Sequence, residues 1–276
     1  MKKAISAWSF LGKSVKDSMA LAKDAGYDGI ELTLEATGPT GLDSTHAEWE
    51  EIRKYSEEIN LPIHSVATGL HWSSPLTSDD ETVREKAIFI VEKQLEMAKA
   101  FGADAILVVP GAVGVPFIPD FKQVSYDVAY ERSLTAFNRL KRKAEALQIT
   151  IGIENVWNYF LISPIEMRDF IDKIDSPYVG AYFDVGNILA MGYPEQWIRI
   201  LGKRICKVHF KDFRREPGGL GSFVDLLAGD VDWPEVVAAF KEIGYDGWAT
   251  AEMSTYKHYP NHIVWSTCAA MKQICG

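Results

Sequence analysis

Short runs of β-branched and other apolar residues alternate along the whole chain with longer stretches in which apolar positions recur every three or four residues. The first pattern has the length of a buried strand and the second has the 3.6-residue period of an amphipathic helix. Strands are predicted at Ala4–Phe10, Gly29–Leu34, Ile63–Thr68, Ala105–Pro110, Thr150–Asn155, Val179–Asp184, Ile205–Phe210 and Trp248–Met253. Helices are predicted at Ser14–Ala25, Thr45–Ile59, Asp80–Phe101, Tyr126–Leu147, Ser163–Ile174, Tyr193–Leu201, Trp233–Ile243 and Pro260–Cys275. Strand and helix in steady alternation call for a parallel sheet with crossover helices, and eight such units suit a sheet closed on itself. The expected fold is therefore α/β, a (β/α)8 TIM barrel, with residues 1–276 as one domain.

Local punctuation supports this reading. Ser163-Pro164 and Asp232-Trp233-Pro234 place an N-cap before an early helical proline, and Gly26, Gly102 and Gly244 each follow a helix as a C-cap would. These three glycines open one repeated phrase, Gly26-Tyr27-Asp28-Gly29, Gly102-Ala103-Asp104-Ala105 and Gly244-Tyr245-Asp246-Gly247, which reads as a shared helix-to-strand turn. The longest loops, near 35–44, 69–79, 111–125 and 211–231, all follow strands, where barrels carry their functional residues.

Composition narrows the class of partner. Hydrophobic residues at 47% and charged residues at 24% are ordinary for a globular protein. A net charge of -9 without a Lys/Arg cluster opposes nucleic-acid binding. The three cysteines, Cys206, Cys268 and Cys275, form neither a CxxC pair nor an even disulfide framework. No apolar run reaches the ~18 residues of a membrane span, and the first residues lack a signal-peptide pattern. A cytoplasmic protein with a small-molecule ligand and no membrane or nucleic-acid partner is expected.

Four predicted strands each end in a residue able to bind a metal: Glu154, Asp184, His209 and Glu252. Side chains alternate across a strand, so Ile151 and Ile153, Ala181 and Phe183, Val208 and Phe210, and Ala251 and Met253 can face the helices while these four face the barrel axis. Three converging carboxylates cannot all stay ionised in a low-dielectric interior without a compensating cation. One divalent metal resolves the conflict, and oxygen-rich ligation with one imidazole suits Mn²⁺ best, with Mg²⁺, Co²⁺ or Zn²⁺ as alternatives. Any one of these residues alone could be a core or turn residue; the set of four with matching parity is specific.

The segments IGIENVW, AYFDVGN, KVHFKD, GDVDWPEVVAAFKEIGYDGW and AEM resemble the xylose isomerase-like barrel superfamily, and within it the ketose 3-epimerases and sugar-phosphate epimerases of the D-tagatose 3-epimerase type. The resemblance implies a metal held by Glu154, Asp184, His209 and Glu252, with Glu154 and Glu252 also serving as catalytic acid and base. It places Asn187 where epimerases often have histidine, and Arg215, six residues after His209, at a substrate-contacting arginine, with Arg214 competing for that alignment. Phe160 stands where some free-sugar 3-epimerases carry a substrate-binding glutamate.

On such a site a metal chelated by a ketose carbonyl and its neighbouring hydroxyl would stabilise an enediolate. One glutamate would remove the C3 proton from one face while the other returns a proton to the opposite face. Return to the adjacent carbon would instead give aldose–ketose or hydroxypyruvate-type isomerisation, and loss of a β-hydroxyl would give an inosose or 3-dehydroshikimate type of dehydratase. Glu31 and His64 have axis-facing parity, and each reads equally as a sugar-hydroxyl contact or as part of a hydrogen-bonded barrel layer. Trp8, Phe10, Trp72 and Trp157 can wall a sugar's apolar face, and Lys211, Arg214 and Arg215 can meet an anionic group, so the ligand is read as a sugar or sugar phosphate. A homo-oligomer is compatible with this barrel, but no interface is readable. A DNA-repair nuclease on the same fold would need more histidines than the six present, and a non-catalytic sugar-binding module would need no facing glutamates.

Overall fold

The computed structural model describes residues 1–276. Seven parallel strands come first in the chain: β1 (Lys2–Ser6), β2 (Gly29–Thr33), β3 (Ile63–Ala67), β4 (Ala105–Val108), β5 (Thr150–Glu154), β6 (Val179–Asp184) and β7 (Ile205–Phe210). The loop after β7 holds a two-stranded antiparallel ribbon, β8 (Asp212–Phe213) and β9 (Phe223–Val224), and β10 (Trp248–Ala251) then completes the barrel. Their hydrogen-bonded order is β1-β10-β7-β6-β5-β4-β3-β2, closed. Around it run α1 (Val15–Ala25), α2 (His46–Glu58), α3 (Glu81–Phe101), α4 (Tyr126–Leu147), α5 (Pro164–Ile174), α6 (Val185–Leu189), α7 (Pro194–Leu201), α8 (Trp233–Glu242) and α9 (His262–Cys275). No helix is long and apolar enough to cross a membrane.

All eight predicted barrel strands are present, with altered ends. The first stops at Ser6 instead of Phe10, because the Ser6 hydroxyl accepts from Trp8 N (3.4 Å) and the chain turns into a 3-10 segment at Ala7–Ser9. Helix α6 and the β8–β9 ribbon were not predicted; both are too short for a period to register. The repeated Gly phrase is a Schellman stop. Gly26, Gly102 and Gly244 have positive φ, and the residue after each donates five positions back, Tyr27 to Ala22, Ala103 to Ala98 and Tyr245 to Phe240. The chain re-enters the barrel directly from that turn, as where Asp28 N bonds Lys3 O.

The main core lies between the barrel and the helices. It takes Ile151 and Ile153, Ala181 and Phe183, Val208 and Phe210, and Ala251 and Met253, the outward positions predicted from parity on these four strands. Full burial of an Ile or Phe side chain contributes roughly 1.5–3 kcal/mol. A one-residue slip of β5 would exchange Ile151 and Ile153 for Gly152 and Glu154 on that face, so the outward hydrophobes are what hold the inward polar residues in place. Inside, Ala67, Leu107 and Tyr182 pack beneath Trp8. The register between β2 and β3 runs Ile30↔Ile63 then Glu31↔Ser65, so His64 is an extra residue at a bulge.

Candidate metal centre at the barrel mouth

Glu154 ends β5 and Asp184 ends β6, where Asp184 also caps α6 by accepting from Asn187 N at 2.8 Å through Oδ1. That bond uses one carboxylate oxygen and leaves Oδ2 for the barrel axis. Asn155 fixes the backbone here: its amide donates to Asp184 O (2.8 Å) and its carbonyl oxygen accepts from Asp184 N (2.9 Å). The Asn187 side chain closes the lattice by donating to Asn155 O at 3.0 Å. His209 projects from β7, and Glu252 follows β10, held by its backbone N–H on Phe210 O at 3.2 Å.

One ligand atom from each of Glu154, Asp184, His209 and Glu252 lies within 4.8 Å of all the others. Three buried atoms are aimed at this point, Asp184 Oδ2, His209 Nδ1 and Glu252 Oε2; Lys211 Nζ touches both oxygens, and Nδ1 lies 3.0 Å from Glu252 Oε2. Three carboxylates and one imidazole converging on a buried point carry more negative charge than the single lysine beside them offsets, which fits a further cation. Hard carboxylate oxygens with one imidazole nitrogen form a donor set for a divalent ion.

Charge within the cluster is uneven. Burial pushes Glu154 up to about 8, with the neighbouring carboxylates Glu252 and Asp184 adding to the shift, and burial also raises Asp184. Burial would raise Glu252 as well, yet Lys211 and His209 hold it below the usual carboxylate range. Lys211 Nζ lies 3.0 Å from Asp184 Oδ2 and 2.9 Å from Glu252 Oε2, and these acids keep it protonated despite its burial. Gly186 makes room for it: a Cβ there would come within 2.6 Å of Lys211 Cβ.

The cluster opens into a cleft of about 450 Å³ lined by Trp8, Trp72, Trp157, Asn187, Lys211 and Glu252 among others. Trp157 is fixed through Nε1 on Asn187 O at 2.8 Å. The other candidates lie elsewhere. Glu31 is fully buried inside the barrel behind His209, whose Nε2 it meets at 3.0 Å, and it also accepts from Ser65 (2.6 Å) and Tyr182 (2.5 Å). His64 stacks on Trp248 and bonds Thr250 Oγ1 at 3.1 Å, and burial holds its pKa well below the ordinary histidine value. Arg215 donates to the carbonyls of Leu189 (2.7 Å) and Gly192 (2.9 Å) and lies over Tyr193, outside the cleft lining. Phe160 is buried among Tyr126, Tyr130 and Phe170.

Sequence reasoning missed Ser65, because the bulge turns it inward directly after His64. It also missed Asp212, a buried carboxylate that accepts from Phe213 N (2.9 Å), Leu227 N (2.9 Å), Val231 N (3.3 Å) and Trp233 Nε1 (3.0 Å). Its only signal was its place beside Lys211 in KVHFKD.

The family model that matches is that of the xylose isomerase-like TIM barrel, over residues 19–272. The chain is 25% identical to an uncharacterized protein of Methanocaldococcus jannaschii over 253 residues, 90% of this chain and 82% of that one. It is 24% identical to the L-ribulose-5-phosphate 3-epimerase UlaE of Shigella flexneri over 258 residues, 88% of this chain and 83% of the relative. Among solved structures, a D-tagatose 3-epimerase-like protein superposes with a TM-score of 0.83 at 21% identity, covering 100% of this chain and 97% of its own. A D-psicose 3-epimerase determined in the presence of D-fructose gives 0.81 at 18% identity, with 99% and 98% covered. At these identities the structural likeness carries the fold.

Proposed function

The chain belongs to the xylose isomerase-like TIM barrel family, and from that premise we propose that it is a metal-dependent epimerase acting at C3 of a ketose or ketose phosphate. The observation that carries the proposal is the convergence of one ligand atom each from Glu154, Asp184, His209 and Glu252 within 4.8 Å of one another in the barrel interior. Relatives named as ketose-phosphate 3-epimerases support the choice of reaction.

Asp184 and His209 would hold the ion together with the two glutamates, Mn²⁺ being the best match to the donor set. A bound divalent cation supplies the positive charge that makes a proton beside a ketose carbonyl acidic enough to remove. Glu154 and Glu252 do the proton work. They come from different strands, β5 and β10, onto one cluster, so the bound carbon can lie between them, with one carboxylate removing the C3 proton and the other acid returning one to the opposite face. Trp8, Trp72 and Trp157 line the cleft above and can wall the sugar's apolar face. Glu31, fixed by Ser65 and Tyr182, keeps the His209 ring oriented.

The test is incubation of the Mn²⁺-loaded protein with a panel of ketoses and ketose phosphates in D₂O. Deuterium at C3 together with the C3 epimer is the expected result. Label at C1 or C2 with aldose formation would assign an isomerase, and loss of water with a new enone absorbance would assign a dehydratase.

A further inference from the structure

The cleft around the candidate centre has a lopsided chemistry. Five aromatic rings line it, Trp8, Trp72, Phe117, Trp157 and Phe223, and its one lining cation is Lys211. The rings brace one another, with Trp72 edge-on to Phe117 (centroids 5.1 Å apart) and Trp157 tilted over Phe223 (5.2 Å). Lys211 is committed to the reacting end of the cleft by its contacts of 3.0 Å to Asp184 and 2.9 Å to Glu252. Farther along the lining stands an acid, Asp225, hydrogen-bonded to the Tyr256 hydroxyl.

The two arginines best placed in sequence to meet a phosphate are spent elsewhere. Arg215 caps the carbonyls of Leu189 and Gly192, Arg214 donates through Nε to Ala228 O at 3.0 Å, and neither lines the cleft. A ketose phosphate carries its dianion at the end of the carbon chain away from the carbonyl. With its C2 and C3 oxygens at the four-residue cluster, that dianion would lie among aromatic rings and beside Asp225. Burying a dianion against apolar surface and a like charge is strongly unfavourable. Aromatic faces suit the C–H surface of an uncharged sugar, and a carboxylate such as Asp225 accepts its hydroxyls.

We infer that the site takes an unphosphorylated ketose, and that Asp225 with the aromatic wall selects against the phosphate ester. This rests on the epimerase reading for the placement of the reacting carbons. Asp225 is thereby a specificity-determining residue, and it acts through its charge and not through its hydrogen bond with the Tyr256 hydroxyl.

The test compares the Mn²⁺-loaded full chain on free ketoses and on the corresponding ketose phosphates. Tryptophan fluorescence quenching serves as a binding readout independent of turnover, because Trp8, Trp72 and Trp157 line the cleft. The expected kcat/KM is at least about tenfold higher for the best free ketose than for its phosphate, and only the free sugar quenches at low concentration. Asp225→Asn should narrow that ratio by about tenfold by improving the phosphate ester, whereas Tyr256→Phe, which removes the same hydrogen bond and keeps the charge, should leave the ratio unchanged. Preference of the unaltered protein for the phosphate ester, or an Asp225→Asn ratio that does not move, overturns the inference. If the ester is preferred and deuterium still enters at C3, this inference falls and the epimerase reading stands. If free ketoses quench fluorescence without label entering at C3, the epimerase reading falls and the preference for an uncharged sugar stands.

Discussion

Glu31 meets His209 Nε2 at 3.0 Å inside the barrel, while His209 Nδ1 faces Glu154, Asp184 and Glu252. Glu31 stays ionised despite full burial because His209, Ser65 and Tyr182 all stabilise its charge. A carboxylate accepts hydrogen bonds and cannot donate them, so it fixes the proton on Nε2 and leaves Nδ1 as the ligand atom. Glu31→Gln should weaken Mn²⁺ binding by about 10–100-fold, measured by calorimetric titration. Unchanged affinity would make Glu31 a packing residue only.

Glu154 and Glu252 are assigned proton transfer in addition to ligation. Glu154→Gln and Glu252→Gln should each lower kcat by about 10²–10⁴-fold, the range of general acid–base catalysis, with a smaller change in ketose affinity. Stopped-flow proton exchange at C3, read separately from equilibrium sugar binding, checks this. Loss of binding equal to loss of turnover would confine both residues to ligation.

Lys211 and a divalent ion answer the same excess of negative charge. In metal-free protein, Lys211→Met would leave Asp184 and Glu252 without their cationic partner, and breaking such buried pairs typically costs about 3–5 kcal/mol. Saturating Mn²⁺ should recover most of that loss. Urea unfolding with chelator and with Mn²⁺ measures both arms, and an equal deficit in the two would show that the ion and Lys211 act independently.

Glu154 gives the centre a pH dependence. Its folded pKa of about 8 lies above the ordinary carboxylate value of 4.5, so between these values the folded protein binds more protons than the unfolded chain. Stability from this group is therefore full below pH 4.5 and declines as pH rises through 8, in metal-free protein. A bound cation requires the ionised form, so binding near pH 7 should release a proton and tighten as pH approaches 8. Calorimetry in buffers of different ionisation enthalpy counts that proton, and zero release at pH 7 contradicts the assignment.

Asp212 anchors the loop that brings Phe223 and Asp225 to the cleft. Asp212→Ala strands buried donors at about 1–3 kcal/mol each, and the expected total loss is at least about 3 kcal/mol. Thermal unfolding reports the loss, and Trp233, which donates to Asp212, supplies a fluorescence signal for the local change.

Much of this was legible from the alternation of β5, β6 and β7, because burial of Ile153, Phe183 and Phe210 on one face forces Glu154, Asp184 and His209 onto the other. Periodicity carries that information directly. The bulge at His64 is different: it depends on how β3 registers against β2, a relation between strands that neither strand shows alone. Arg215 failed to reach the cleft for a similar reason. Its partners are the carbonyls of Leu189 and Gly192 around the end of α6, a helix of five residues that leaves almost no periodic trace. The placement of Glu31 behind His209 required Tyr182 and Ser65, four strands meeting across the barrel interior.

Barrel closure has a consequence for assembly. The strand that pairs with β1 and seals the ring, β10, also delivers the Glu252 ligand. A folding chain that has formed β5, β6 and β7 but not yet docked its last strand presents two acids and a histidine, an incomplete and weaker chelator. Contacts this distant in sequence form slowly, so the proposed ion would be held by all four ligands only once the ring is shut.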